Sequence, residues 1–356
     1  MNKPSSTIDA LCRRLVPWYR RCRRDLPWRQ DRDPYRVWVS EIMLQQTRVE
    51  AVVDYFNRFM QRFPDVHALA AAEREQVLKL WQGLGYYSRA RNLHAAAQEL
   101  AAAGGRLPDT YAGLVQLPGI GPYTGAAIAA IAFNRPTPAV DGNVLRVCTR
   151  LWALTADVKQ ARVKNDVRDR LRPVLARVAD RGDFTQGLME LGAVVCTPAA
   201  PSCGTCPLRA DCCALAQDRV HELPVRGRAR AVPVRHVAVA MVRKRSFLLL
   251  QRRPESAMLG GLWEWPGGEV PPGELAARVR AQTGIRVAVE PTPWWRLTHT
   301  YSHFRLELAA FDAAYLGGRL RSGVQPQPAW VGRRQLAELP LGLAAARLLE
   351  AVRKRG

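Results

Sequence analysis

The chain has 356 residues, 48% of them hydrophobic, enough for about two packed domains. No apolar run reaches the roughly 18 residues of a helical membrane span. The formal charge of +22 points to a polyanionic partner, and it is not a tail: residues 1–216 carry 30 Lys+Arg against 20 Asp+Glu, and residues 217–356 carry 23 against 11.

The N-terminus is arginine-rich through Arg24 but has no apolar signal core. Asp9, Asp25, Trp18 and Trp28 fit a folded first helix, so an intracellular, soluble protein with reduced thiols is expected. Residues 5–24 read as an amphipathic helix, with Ile8, Leu11, Leu15 and Trp18 at helical spacing. A proline-marked loop follows, and Asp33-Pro34 reads as an N-cap with proline at the first helical position. The helix it opens carries Ser40-Glu41-Ile42-Met43-Leu44-Gln45-Gln46-Thr47. Glu41 among apolar neighbours is either a buried acid of raised pKa, suited to general acid work, or a surface residue on the polar face. Helices are expected near 49–62 and 73–81. The turn from Gly83 to Asn92 then combines glycines, Tyr86, Tyr87, Arg89 and Arg91, a combination suited either to wedging a ring into a base stack and holding phosphates or to aromatic core packing with solvated arginines.

An alanine-rich helix over 89–103 ends at Gly104-Gly105. Next comes Leu117-Pro118-Gly119-Ile120-Gly121-Pro122-Tyr123-Thr124-Gly125, a turn between two helices spanning 114–132. On glycine spacing alone this reads as an ordinary helix–helix turn; its glycines also aim peptide N–H groups and a helix start at one point, a place for a phosphate. Asp141 follows in Val140-Asp141-Gly142-Asn143-Val144, and helices are expected over 143–154 and 161–179. Cys196, Cys203, Cys206 and Cys212 have the spacing C-x6-C-x2-C-x5-C. Four thiolates in one loop suit tetrahedral zinc or a 4Fe–4S cluster, and the unequal spacing leans towards iron–sulfur. Cys213 competes with Cys212 as the fourth ligand.

Residues 217–233, rich in Arg and Pro, read as a linker. Beyond them the period changes to strand, turn, strand over 234–251, then a turn-rich loop at 260–269. A short helix near 274–282, strands around 286–312 and a final helix near 334–353 complete an α+β domain.

In order along the chain, the Ser40–Thr47 block, the Gly83–Asn92 block, the hairpin, the Val140–Val144 block and the cysteine loop resemble the MutY family of adenine DNA glycosylases. The resemblance implies a multidomain protein. An all-α helix–hairpin–helix glycosylase domain over 1–216 divides into a six-helix barrel of about 30–132 and an iron–sulfur module of 1–29 with 133–216. An α+β Nudix-like domain over 234–356 follows.

The resemblance also implies roles. Glu41 protonates a flipped-out adenine and Asp141 stabilises the oxocarbenium-like sugar, with Tyr123 and Asn143 in support. Arg24, Trp28, Arg29, Leu44 and Gln186 line the adenine pocket. Gly119, Gly121 and Tyr123 form the phosphate-binding hairpin. Gln46, Thr47, Leu84 and Tyr86, with Tyr301, Ser302 and His303, read an 8-oxoguanine opposite the adenine. Cys196, Cys203, Cys206 and Cys212 hold one 4Fe–4S cluster.

Where the lyase branch of the superfamily carries a lysine, this chain has Tyr123, which forms no Schiff base, so a monofunctional enzyme is expected. Gly267-Gly268-Glu269-Val270-Pro271-Pro272-Gly273-Glu274 begins like a Nudix box. The following Ala277–Gly284 stretch lacks the glutamates that hold Mg²⁺, which argues against the competing reading of a nucleotide pyrophosphatase. Intact Glu41 and Asp141 argue against a mere DNA-binding scaffold. The expected partner is duplex DNA with adenine opposite 8-oxoguanine or guanine, bound by a cytoplasmic, nucleoid-associated monomer.

Overall fold

The computed structural model describes residues 4–227, 232–301 and 303–355, and side chains from residue 11 onwards. The chain divides into two compact units, Met1–Ala70 with Ala95–Ala229, and Ala71–His94 with Arg230–Gly356.

Helices of the chain up to the cysteine loop are α1 (Pro4–Cys22), α2 (Pro34–Leu44), α3 (Val49–Arg62), α4 (Val66–Ala70), α5 (Arg74–Leu80), α6 (Ser88–Ala102), α7 (Tyr111–Leu114), α8 (Pro122–Ile131), α9 (Gly142–Leu151), α10 (Ala161–Arg177), α11 (Arg181–Val194) and α12 (Cys213–Ala216). Leu11, Leu15, Trp18 and Tyr19 form the buried stripe of α1, which packs on α10 and α11 with Val144, Val147, Val167, Leu171, Leu188 and Leu191. Each such aliphatic side chain contributes about 1.5–3 kcal/mol of burial.

The start of α2 follows its sequence: Asp33 accepts the Arg36 amide at 2.9 Å and Pro34 occupies the first turn. Every residue from Val37 to Met43 is buried, so α2 has no solvent face in its second half, and Glu41 is only 6% exposed. The reading of Glu41 as a surface residue is thereby removed. Helix α8 is likewise buried from Thr124 to Ile131. Its small side chains let α2 and α11 pack close to it. The turn from α7 to α8 passes through Gly119 at φ +78, which favours glycine.

Helix α11 has no counterpart in the sequence reading. It is buried on nearly all sides and carries Gly187 and Gly192 in its interior, so neither amphipathic period nor helix propensity marks it. Within the stretch read as a linker, Val220, Leu223 and Val225 pack against Ala214, and the Val158 amide donates to Val225 O at 3.1 Å.

The second unit holds a mixed sheet with strands β1 (Val234–Lys244), β2 (Phe247–Arg252), β3 (Trp263–Glu264), β4 (Gly267–Gly268), β5 (Ile285–Val289), β6 (Trp295–Thr300), β7 (Arg305–Gly318) and β8 (Gln327–Val331). The order is β3-β2-β1-β7-β5, with β4 on β1, β6 on β7 and β8 on β2. Strands β1 and β7 run parallel from the pair Val234 and Arg305 to Arg243 and Ala314. Helices α13 (Leu275–Thr283), α14 (Gln335–Glu338) and α15 (Leu343–Arg355) complete the unit.

Val239 and Met241 of β1 face Leu348, Leu349 and Val352 of α15, while Ala238, Ala240 and Val242 face Leu275 and Val279 of α13. A strand covered on both faces needs apolar residues at successive positions, and β1 has them from Val237 to Val242, its charged residues lying at the exposed ends. The segment Ala71–His94 joins this unit through Tyr87, whose hydroxyl donates to Leu341 O at 3.2 Å, and through Arg91, which donates to Gly260 O at 2.9 Å. No helix among the described residues is long and apolar enough to cross a membrane.

Candidate functional site

A cavity of about 870 Å³ opens in the first unit between α2, α8, α9, α10, α11 and the turn at Pro27–Arg29. It has the size of a small-molecule or nucleotide site. Every residue that the sequence placed in the catalytic centre, the adenine pocket or the hairpin lies on its wall: Glu41, Asp141, Tyr123, Asn143, Arg24, Trp28, Arg29, Leu44, Gln186, Gly119 and Gly121. Gln46 and Thr47 line it too.

Glu41 reaches the cavity from the middle of α2. Burial pushes its carboxyl up to about 7; the Tyr123 hydroxyl, donating to Oε2 at 3.0 Å, and Arg29 pull the other way, and Asp141 adds to the rise. Near neutral pH about half of the molecules therefore carry Glu41 as a carboxylic acid with a proton to give. Tyr123 is raised well above its ordinary value by burial and by Glu41 and Asp141, so it stays a donor.

Asp141 is the N-cap of α9. Its Oδ1 accepts the Val144 amide at 2.7 Å and its Oδ2 accepts Asn143 Nδ2 at 3.1 Å. Burial raises this carboxyl as well, opposed by these hydrogen bonds to the ionised form and by Arg146. One acid keeps its proton through burial, while the other is supplied with donors that hold a negative charge.

Sequence reasoning missed Glu190. It is fully buried, four residues beyond Gln186 on α11, and lines the same cavity. Burial raises its carboxyl, but Arg24 and Arg29 outweigh burial and hold it at about 2. Arg24 Nε and Nη2 donate to it at 2.9 and 2.8 Å and Arg29 Nη2 at 2.8 Å. Its signal was an acid inside an apolar helical run, where an unpaired carboxylate is costly. Gln45, whose amide donates to Thr124 Oγ1 at 2.9 Å, and Lys164 and Arg168 of α10 were also missed as cavity residues.

A hydrogen-bond chain leads from Asp141 to the cysteine loop. Asn143, which donates to Asp141, accepts from Arg146 Nη2 at 2.7 Å, and Arg146 Nε donates to Cys196 O at 2.8 Å. Arg150, one turn on and 2% exposed, donates to Cys196 Sγ at 3.4 Å, Thr197 O at 2.7 Å and Pro198 O at 2.9 Å. The α9 start lies hard against α11: a Cβ on Gly192 would stand 2.6 Å from Asn143 Cβ.

Cys196, Cys203, Cys206 and Cys212 line one small cavity with Arg150, whereas Cys213 opens α12 away from its wall. Among the described residues no three His, Cys, Asp or Glu side chains converge as ligands of a single ion. Burial pushes Cys206 up to about 11, and the other three cysteines add to the rise. Four thiols crowded so closely repel once ionised unless positive charge lies among them.

In the second unit Leu84 is buried, while Tyr86 is 39% exposed at φ +48, a strained value for a tyrosine. Arg89 holds that turn, donating to Leu84 O and Gly85 O at 3.1 Å beneath the Tyr86 ring. Tyr301 stacks on Phe304 at 4.7 Å and meets His299 edge-on at 4.5 Å; His303 lies against Phe304 at 5.0 Å. Ser302 falls outside the described residues. On α13, Gln282 bonds both the N–H and the C=O of Gly267, and Arg278 lies beside it, so amide and guanidinium groups occupy this face.

A family model described as HhH-GPD superfamily base excision DNA repair protein matches residues 39–173, and a NUDIX domain model matches residues 237–351. The chain is 36% identical to the adenine DNA glycosylase of Rattus norvegicus, over 91% of this chain and 74% of that protein. It is 35% identical to that of Homo sapiens, over 90% and 70%. Among solved structures, a thermostable thymine-DNA glycosylase superposes with a TM-score of 0.53 at 25% identity, covering 60% of this chain and 98% of its own.

Proposed function

The chain belongs to the adenine DNA glycosylase family, and from that premise we propose that it hydrolyses the N-glycosidic bond of adenine paired with 8-oxoguanine or guanine in duplex DNA. The observation that carries this reading is the pairing of Glu41, raised to about 7, with an Asp141 whose ionised form is hydrogen-bonded, on one cavity wall.

The adenine flips out of the duplex into the cavity. Glu41 gives its proton to N7 of the base, which makes adenine a better leaving group. Asp141 stays ionised beneath the sugar and stabilises the oxocarbenium-like charge as the bond lengthens. Tyr123 orients the Glu41 carboxyl, and Asn143 orients Asp141. Arg24, Trp28, Arg29, Leu44 and Gln186 enclose the base, and Gln186 offers it both a donor and an acceptor. Tyr123 supplies no amine, so the strand is left intact at the abasic site. Gly119 and Gly121 seat a backbone phosphate at the start of α8.

The division of labour follows the chain. Residues 1–216 carry catalysis in two modules, 217–233 connect, and residues 234–356 read the lesion through Tyr301, Ser302 and His303. Gln46 and Thr47 of the first unit, and Leu84 and Tyr86 of the 71–94 segment that groups with the second, hold the lesion strand. The protein acts as a monomer.

Cys196, Cys203, Cys206 and Cys212 fit one 4Fe–4S cluster: the four thiols line one small cavity, and four thiolates are the donor set such a cluster takes. When bound, the cluster supplies positive iron to four thiolates and ties the loop together.

The test is a single-turnover assay on duplexes with adenine opposite 8-oxoguanine, guanine or thymine. Base release is expected from the first two, with no strand nick before alkali. Equal release from all three, or prompt nicking, overturns the reading.

A further inference from the structure

The charges on the cavity wall do not balance evenly. Around the base, Glu190 answers Arg24 and Arg29. Lys164 and Arg168, one turn apart on α10, also line the cavity, and among the described residues no acid is bound to them. The two acids of that helix are taken: Asp166 pairs with Arg170 at 3.0 Å and Asp169 with Arg172 at 3.3 Å. Arg168 donates only to Asn165 Oδ1, at 3.0 Å, and Lys164 makes no hydrogen bond or ion pair among the described residues.

Of the catalytic acids, it is Asp141 whose field reaches Lys164, whereas Arg29 acts on Glu41. Helix α10, which carries both cations, packs against α9, the helix that Asp141 caps, and with Asp141 beneath the sugar this puts the pair on the sugar side of the cavity. A bare ammonium there would repel the positive charge that develops on the sugar. An anion between them removes that conflict, and an extruded nucleotide brings one.

Building on the proposed function, we infer that Lys164 and Arg168 form a clamp for a phosphodiester flanking the flipped adenosine, separate from the phosphate seat at Gly119 and Gly121. The clamped phosphodiester positions the sugar over Asp141 and shields it from the two cations.

The test is a double-mutant cycle between protein and DNA. The wild-type protein and the Lys164→Ala/Arg168→Ala variant are titrated with adenine–guanine duplexes. These carry 2′-fluoro-2′-deoxyadenosine, which resists cleavage, and an uncharged methylphosphonate at one flanking phosphate at a time. The variant is expected to bind the unmodified duplex about tenfold or more weakly, with the slope of log affinity against log salt reduced by about one to two units. At one phosphate, the methylphosphonate should weaken wild type similarly and leave the variant unaffected. Lys164→Arg should keep affinity.

Additive losses at every position, or unchanged affinity and salt slope in a folded double variant, overturn the clamp. So does a fall in single-turnover rate at saturating enzyme with binding intact. If the cycle closes as expected but wild type releases no adenine from any mispair, the clamp stands and the proposed function falls.

Discussion

The Tyr123 hydroxyl donates to Glu41 Oε2 at 3.0 Å, and this bond opposes the burial that raises the acid. Tyr123→Phe removes a partner of the ionised form, so the Glu41 carboxyl rises further. Base release needs Glu41 protonated and Asp141 ionised, which gives a bell-shaped profile whose alkaline limb belongs to Glu41. The substitution should move that limb to higher pH by up to about one unit, the worth of one ordinary hydrogen bond. Single-turnover rates from pH 5 to 9 check this. An unmoved alkaline limb would show that the limb does not report Glu41.

Glu41 also makes stability depend on pH. Its folded pKa of about 7 lies above the ordinary value of 4.5, so the folded state holds the proton more tightly than the unfolded chain. The stabilisation is complete below about 4.5 and is lost as pH rises through about 7, by about 3 kcal/mol in all. Glu41→Gln is neutral at every pH. It should abolish base release while raising the melting temperature relative to wild type more at pH 8 than at pH 5. Thermal unfolding at the two pH values measures the difference.

Glu190 runs in the opposite sense. Arg24 and Arg29 hold it at about 2, below the ordinary 4.5, so its stabilisation is present above 4.5 and fades as pH falls through 2. Glu190→Gln leaves two arginines facing a neutral amide in a buried place. A loss of roughly 3–5 kcal/mol is expected, as for other broken buried pairs. Denaturant unfolding at pH 7 reads it. Adenine release should fall too, because Arg24 and Arg29 both line the cavity and lose the anchor that fixes them.

Much of the site was legible because its residues sit in short blocks where local chemistry is specific. Asp33-Pro34 announces the helix that carries Glu41, and Gly119 announces the turn before Tyr123. What was not legible depends on tertiary packing. Helix α11, with Glu190, has no apolar stripe to read because it is covered almost all round, and Gln186 on the same helix was reached through the family resemblance alone. Arg146 and Arg150 look like surface charges of a basic helix, yet they are 5% and 2% exposed and bind backbone carbonyls across α9, α11 and the cysteine loop. The final helix expected over 334–353 is broken by Pro340 and Gly342 into α14 and α15, and β8 was not foreseen.

The chain from Asp141 through Asn143 and Arg146 to Cys196 predicts that Arg146 governs the aspartate from a distance. Arg146→Lys keeps the charge but cannot serve Asn143 Oδ1, Gly192 O and Cys196 O together. With Asn143 released, Asp141 loses a donor to its ionised form and its pKa rises. The acid limb of the pH–rate profile should move to higher pH while the alkaline limb, set by Glu41, stays in place. Movement of both limbs together would mark a general loss of structure instead.

The cysteine loop supplies a test that separates two neighbouring residues. Sequence left Cys212 and Cys213 in competition; the structure puts Cys212 on the cavity wall and Cys213 outside it. Purified protein should contain iron and acid-labile sulfide in equal amounts. Cys212→Ser should lose both, and Cys213→Ser should keep both. Arg150 binds Cys196 Sγ together with the carbonyls of Thr197 and Pro198, and Arg146 binds Cys196 O, so a loosened loop withdraws partners from two buried guanidiniums at once. Unpaired buried charge is costly, so Cys212→Ser should unfold at lower temperature as well as release adenine more slowly. A Cys212→Ser protein with full iron content, or a Cys213→Ser protein without it, would reassign the fourth ligand.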